Sequence, residues 1–300
     1  MTWANAALLS ASVMAFVSIL DSHLVSKRFP SIRSFILPLA LINLAYGLIM
    51  RLAFPLPAGV DMSLVGVAVL SACLRTGAVV IMFDSLRHRE VSSVVPVVYA
   101  YPMFVALLAV IFLGERLTWL QWAAVGIVAS GAVMISLGRE LSRSDVGRPR
   151  AALLFLSSLL LAAADVTSKQ ALSQLTFWNL FWVQASVMGG IFLLYSLRRS
   201  VLAEIGALAD RWRALKVLAL NETIAPVGII LAYWAMAHGP VSLVSALLGS
   251  RPLLVLLFAL ALSRRAPDFL FWNKGRRLLI TRAVATAMIV VGVAIIKMSG

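Results

Sequence analysis

Three hundred residues, 62% hydrophobic and 13% charged, with a mean hydropathy of +0.98, exclude an ordinary soluble domain, which is about 45–50% apolar and about 25% charged. The formal charge of +14 does not point to nucleic acid, because no basic arm or aromatic-interleaved basic patch stands apart from the apolar runs; basic loops facing anionic lipid account for it. Cys73 is the sole cysteine, which excludes an internal disulfide and a cysteine-based metal site.

In chain order, apolar runs long enough for a bilayer, which takes about 20 residues, predict ten transmembrane helices. They lie at 4–26, 35–53, 62–86, 91–113, 118–137, 151–172, 177–197, 215–237, 241–262 and 281–297. Met1-Thr2-Trp3-Ala4 lacks the basic region of a signal peptide, so the first span is expected to stay in the protein. Pro55, Pro57 and Gly59 predict one turn and Gly239-Pro240 another. The fourth span carries Pro96 and Pro102 and stops at Gly114-Glu115-Arg116. An interior proline removes an amide donor and clashes with the preceding turn, which a membrane bundle tolerates where neighbouring helices or a wet cavity serve the freed carbonyls. The polar stretch 139–150 divides the chain into 1–138 and 151–300. Trp119, Trp122, Trp178, Trp182, Trp212 and Trp272 fall near predicted span ends, as interfacial belts require.

The halves repeat. His88–Leu113 aligns with His238–Ser263, which places Tyr101-Pro102 on Arg251-Pro252. Ser26-Lys27 matches Ser168-Lys169, and the segment around Gly131 matches that around Gly292. Each alignment is weak alone, but together they keep one order, five spans plus five. Five is odd, so the second half is expected upside down relative to the first. The charge bias agrees: odd-numbered loops hold 20 Lys and Arg, the other face only Arg51, Arg116, Lys169 and Lys297. By the positive-inside rule the odd loops are cytoplasmic and both termini outside, and matching loops carry opposite loading, as an inverted repeat requires.

On these residues the sequence resembles the drug/metabolite transporter superfamily, in its ten-span EamA-type branch. The match is best over Val91–Gly131: a small-residue turn, a proline-bearing span, Leu113-Gly114-Glu115-Arg116-Leu117, then a glycine-bearing span. Two features depart from the pattern. The second half has Ser263-Arg264-Arg265 at the matching turn, and relatives are usually placed with both ends in the cytoplasm. The resemblance implies an all-α bundle of two inverted five-helix repeats around a central cavity in the cytoplasmic (inner) membrane. It also implies movement of small metabolites, most often outward, without naming one.

Two arginines lie inside spans. Arg75 is about 20 Å deep and Arg251 about 15 Å deep at about 1.5 Å per residue, where an arginine costs at least about 2.5–3.5 kcal/mol. Arg251 precedes Pro252, so irregular backbone is expected around it, and such breaks line carrier sites. Its guanidinium can grip a carboxylate or phosphate through two parallel hydrogen bonds; the alternative is a structural pair with Glu222. Both readings stand for Arg75 too, with the structural pair favoured. Asn221, Glu222 and Thr223 form a polar cluster in span eight, and Glu222 can serve as a proton relay. Tyr99 and Tyr101 either line the cavity or pack between helices. Asp165 and Lys169, four apart, favour a local helix pair. Asp21 and His23 read as interfacial, and His238 as a proton site or an exposed turn histidine. Glu115-Arg116 reads as a turn and packing device, and Gly126, Ser130 and Gly131 as packing residues.

These features predict a secondary transporter for an anionic or zwitterionic metabolite, working by alternating access, in the export direction that the resemblance implies; the alternative is a flippase gripping a lipid or lipid-linked phosphate headgroup. No GxxxxGK[ST], HExxH or GxSxG occurs, so ATP-driven transport by this chain alone and an enzyme are both disfavoured. No cofactor is expected. The expected partners are the solute and the bilayer, in a monomer or homodimer.

Overall fold

The computed structural model describes residues 1–88, 100–137, 148–208, 210–263 and 276–299. Every regular element among them is a helix: α1 (Trp3–Lys27), α2 (Ile32–Ala53), α3 (Met62–His88), α4 (Tyr101–Leu113), α5 (Trp119–Leu137), α6 (Arg148–Ala171), α7 (Phe177–Ser196), α8 (Arg199–Gly206), α9 (Arg211–His238), α10 (Val241–Leu248), α11 (Arg251–Ser263) and α12 (Arg276–Ser299). Among the described residues eight spans are long and apolar enough to cross a membrane, one of them joining α10 to α11 as Val241–Ala259, and Tyr101–Leu113 and Trp119–Met134 are shorter apolar helices. Large apolar side chains stand on the outside, among them Leu52, Phe112 and Leu194, whereas Ala7, Ala11 and Ala15 are fully buried. Small residues within and large apolar ones without is the pattern of helices packed in lipid, and the chain is a multi-pass membrane protein. Tyr99 and most of the linker 139–150 lie outside the described residues.

Local chemistry sets the helix ends. The Ser31 hydroxyl accepts from the Ser34 amide at the start of α2, and Thr176 accepts likewise from Asn179 at the start of α7; both form reciprocal capping boxes. Asp61 accepts from the Ser63 amide at 2.9 Å before α3, which holds its carboxyl below its ordinary value. Gly114 ends α4 with a φ of 66°, a left-handed turn that favours glycine. The amphipathic helix α8 lies where the sequence reading had only a loop, and the Ser31 hydroxyl reaches Glu204 on it.

Span nine is not one helix. α10 ends at Gly249-Ser250, and α11 begins at Arg251. In both halves the aligned Tyr101-Pro102 and Arg251-Pro252 are the first two residues of a helix, where a missing proline amide has no helical acceptor to lose. These prolines therefore start helices and do not kink them. A Cβ on Gly249 would stand 3.0 Å from the Pro102 ring, so the start of α4 packs against the break between α10 and α11.

The most extensive pairings are α2 with α7, α5 with α12, α3 with α6 and α1 with α9. Exchanging the halves maps this set onto itself. The close contacts are reciprocal as well. A Cβ on Gly131 would meet the Ala285 carbonyl at 2.9 Å, and one on Gly292 would meet the Ala124 carbonyl at 3.1 Å. Gly47 lies against Ser186, and Gly189 against Leu44 and Ala40. Of the three small residues read as packing devices, Gly131 alone touches a neighbouring helix; Gly126 has open space beside it and Ser130 is exposed.

Candidate functional site

Three polar layers cross the bundle. The first lies at the turn between α9 and α10. The Glu115 carboxylate, carried past the end of α4 by the Gly114 turn, accepts from the Val241 amide at 2.6 Å, the Ser242 amide at 3.2 Å and the Ser242 hydroxyl at 2.5 Å. A carboxylate on free amides at a helix start both caps it and complements its dipole. Lys169 Nζ donates to the carbonyls of Met236 and Gly239 at 2.6 and 3.0 Å, closing the end of α9. The Asp165–Lys169 pair expected from spacing is therefore not formed: the ammonium is spent on carbonyls, and the carboxylate is taken from another side.

That side is the second layer. Arg75 on α3 donates from Nη2 to Asp165 Oδ1 on α6 at 2.7 Å and from Nε to Gln184 Oε1 on α7 at 3.1 Å. Ser245 on α10 donates to the other Asp165 oxygen at 3.0 Å. Gln184 also accepts from the Tyr233 hydroxyl at 2.8 Å and donates to Ser71 and Ser168. All four hydrogen-bonding positions of this buried amide are thus filled. Tyr101 lies within electrostatic reach of Arg75, and the guanidinium stands 5.9 Å from the Tyr233 ring centre. Arg75 is a satisfied cation that ties a helix of the first half to three of the second.

The third layer is incomplete. Asn221 on α9 donates to Asp21 Oδ1 on α1 at 2.7 Å, and Asp21 lies within electrostatic reach of both Arg251 and Glu222. Asp21, expected at an interface, instead faces this group. No salt bridge joins Arg251 to Glu222 among the described residues, so the structural pair expected as the alternative is absent. The Arg251 Nε and the Asn221 Oδ1 are buried without a hydrogen-bond partner. A buried polar atom left unpaired costs about 1–3 kcal/mol, and orphaned groups of this kind call for an explanation.

Of the sequence candidates, the structure groups Asn221, Glu222 and Arg251, and separately Arg75 with Tyr101. His238 belongs to neither: it is exposed, stacked on Trp234, and its Nδ1 lies 2.8 Å from the Trp234 carbonyl. Asp21, Asp165, Gln184, Tyr233 and Ser245 were not singled out as site residues. The available signal was that a mid-span arginine needs a carboxylate at matching depth on another helix, and the chain has only 12 acidic residues.

Residues 1–137 match the model of the EamA-like transporter family. No curated protein matches the chain. Among the solved structures that match, one crystal structure is 21% identical, covers 98% of this chain and 94% of its own, and superposes with a TM-score of 0.69; at that identity the likeness is one of fold.

Proposed function

From the premise that residues 1–137 of this membrane protein match the model of the EamA-like transporter family, we propose that the whole chain is a secondary transporter for a small anionic or zwitterionic metabolite. The observation that carries this reading is the unfinished layer at the helix break. Arg251 keeps an unpartnered buried donor there, and Asn221 an unpartnered acceptor. A solute carboxylate satisfies the guanidinium. The Asn221 oxygen, with Asp21 and Glu222, suits an ammonium group, so a zwitterion fits best. Arg75, already paired with Asp165, is assigned a structural tie, and Tyr101 is assigned to the wall beside the break.

The reciprocal glycine contacts support two inverted five-helix units, 1–138 and 151–300, joined by 139–150. The halves rock about the break to expose the site to each side in turn. The Lys and Arg bias supports a cytoplasmic linker in the inner membrane with both termini outside, and the resemblance supports export.

The test is counterflow into proteoliposomes carrying the purified chain, using labelled L-alanine, L-leucine, L-serine and succinate. At least one solute is expected to exchange, Arg251→Ala to abolish the exchange, and Arg251→Lys to impair it through loss of the planar fork. Full activity of the lysine variant refutes bidentate gripping. Scrambling of a labelled phospholipid with none of the solutes moved refutes the transporter reading in favour of a flippase.

A further inference from the structure

The junction of α8 and α9 encloses a charged cavity that the solute site does not use. Its volume is about 700 Å³, and Leu208, Asp210, Arg211, Trp212, Arg213 and Lys216 are among the residues that line it. Ligand pockets span about 300–1,000 Å³. Asp210 already has its counter-charge, because Arg28 at the end of α1 meets it at 3.6 Å. Arg213 and Lys216 are exposed and, three residues apart, share one face of α9. Neither forms an ion pair or a side-chain hydrogen bond among the described residues. Arg211 is turned over the Trp212 ring, 5.4 Å from its centre. Three cations therefore line a space whose one carboxylate is taken from outside. The Asp210 side chain caps no amide of α9, so the positive end of that helix adds to the same potential.

The place of the cavity along the chain decides which anion fits it. Arg211–His238 is one of the spans able to cross a membrane, so the cavity lies where α9 enters the bilayer. It is separate from the incomplete layer: Asn221 comes ten residues after Arg211, about 15 Å along the helix at about 1.5 Å per residue. The amphipathic α8 leads into it with Val201 buried and Leu202 exposed, as in a helix lying along an interface. Trp212 is 67% exposed, and such rings sit at headgroup level. The Lys and Arg bias assigns this loop to the cytoplasmic side, where the leaflet carries anionic lipid. A soluble anion needs only the cations. Cations set beside exposed Trp212 and Leu202 suit an anion with hydrocarbon attached. We propose that this cavity binds the headgroup of an anionic phospholipid, with the phosphate on Arg213 and Lys216 and the glycerol backbone against Trp212. The bound lipid anchors the start of α9, and through the Arg28–Asp210 pair the end of α1, to one leaflet. Binding here requires no transport, so it stands or falls apart from the solute reading.

The experiment uses the full chain in neutral detergent micelles. Phosphatidylglycerol and phosphatidylcholine, each brominated high on the acyl chains, are titrated in while tryptophan fluorescence is read. Phosphatidylglycerol is expected to quench at the lower mole fraction. That preference should shrink between about 0.1 M and about 1 M salt, as the screening length falls from about 10 Å to about 3 Å. Trp212→Phe is expected to remove the part of the quenching that is selective for phosphatidylglycerol. Arg213→Gln with Lys216→Gln should weaken the phosphatidylglycerol affinity about fivefold for each cation removed. Arg198→Gln with Arg199→Gln removes exposed cations of the same loop that do not line the cavity, and should leave the affinity nearly unchanged.

Should the Arg213 and Lys216 variant fail to fold, the salt series and Trp212→Phe, a change at an exposed ring, still decide. Equal quenching by the two lipids, or a preference kept in Trp212→Phe, overturns the site. The same loss from the Arg198 and Arg199 variant overturns it too, in favour of general attraction to a basic surface. Displacement by glycerol phosphate as readily as by unbrominated phosphatidylglycerol overturns the lipid assignment in favour of a soluble phosphate.

Discussion

Removing the Asp165 carboxylate tests how the two halves are held together. Its side chain is 3% exposed, it meets Arg75 at 2.7 Å, and Arg75 is itself 22% exposed. Asp165→Ala leaves a largely buried guanidinium without its counter-charge and the Ser245 hydroxyl without its acceptor. Breaking one side of a buried ion pair costs about 3–5 kcal/mol. Replacing both partners by apolar residues, in Arg75→Met with Asp165→Leu, removes the charge along with its partner and is expected to recover most of that loss, because such pairs barely offset their own desolvation. Gln184 would still be held by Tyr233, Ser71 and Ser168. The assay is reversible unfolding in mixed micelles for the wild type, both single variants and the double, arranged as a double-mutant cycle. Asp165→Ala within about 1 kcal/mol of the wild type, or a double variant as unstable as the two singles summed, would refute the claim that this pair closes the second layer.

Two further outcomes follow from the geometry and one from the charge bias of the loops. Glu115→Ala strips three contacts from the start of α10 and should lower stability by about 1–2 kcal/mol, the range for a lost helix cap; an unchanged unfolding midpoint contradicts the capping role. Gly131→Ala should destabilise by about 1–3 kcal/mol through overpacking, because its Cβ would lie 2.8 Å from Ile289 and 2.9 Å from the Ala285 carbonyl. Gly126→Ala, with open space around it, should be neutral or slightly stabilising, and equal effects from the two would undo the packing argument. A reporter fused after Gly300 should read as external, and a cytoplasmic signal would overturn the use of the Lys and Arg bias.

The sequence by itself determined the membrane class and the all-helical character of the apolar runs. Hydropathy over about 20 residues is a local quantity, but it ran through Tyr101-Pro102 and Arg251-Pro252, and that each pair starts a helix within its span was decided by the fold. Spacing also marked Gly131 as a packing residue, since small residues let helices approach closely. Only the tertiary structure decided which charges meet. Arg75 and Asp165 are 90 positions apart, and Asp21 and Asn221 are 200 apart. The local rule paired Asp165 with Lys169, but helix carbonyls and a guanidinium from another helix took those groups instead. Which side chains face each other across a bundle depends on the rotation and axial shift of whole helices. One residue of register turns a side chain by about 100° around its helix, a displacement that hydropathy does not resolve and packing does.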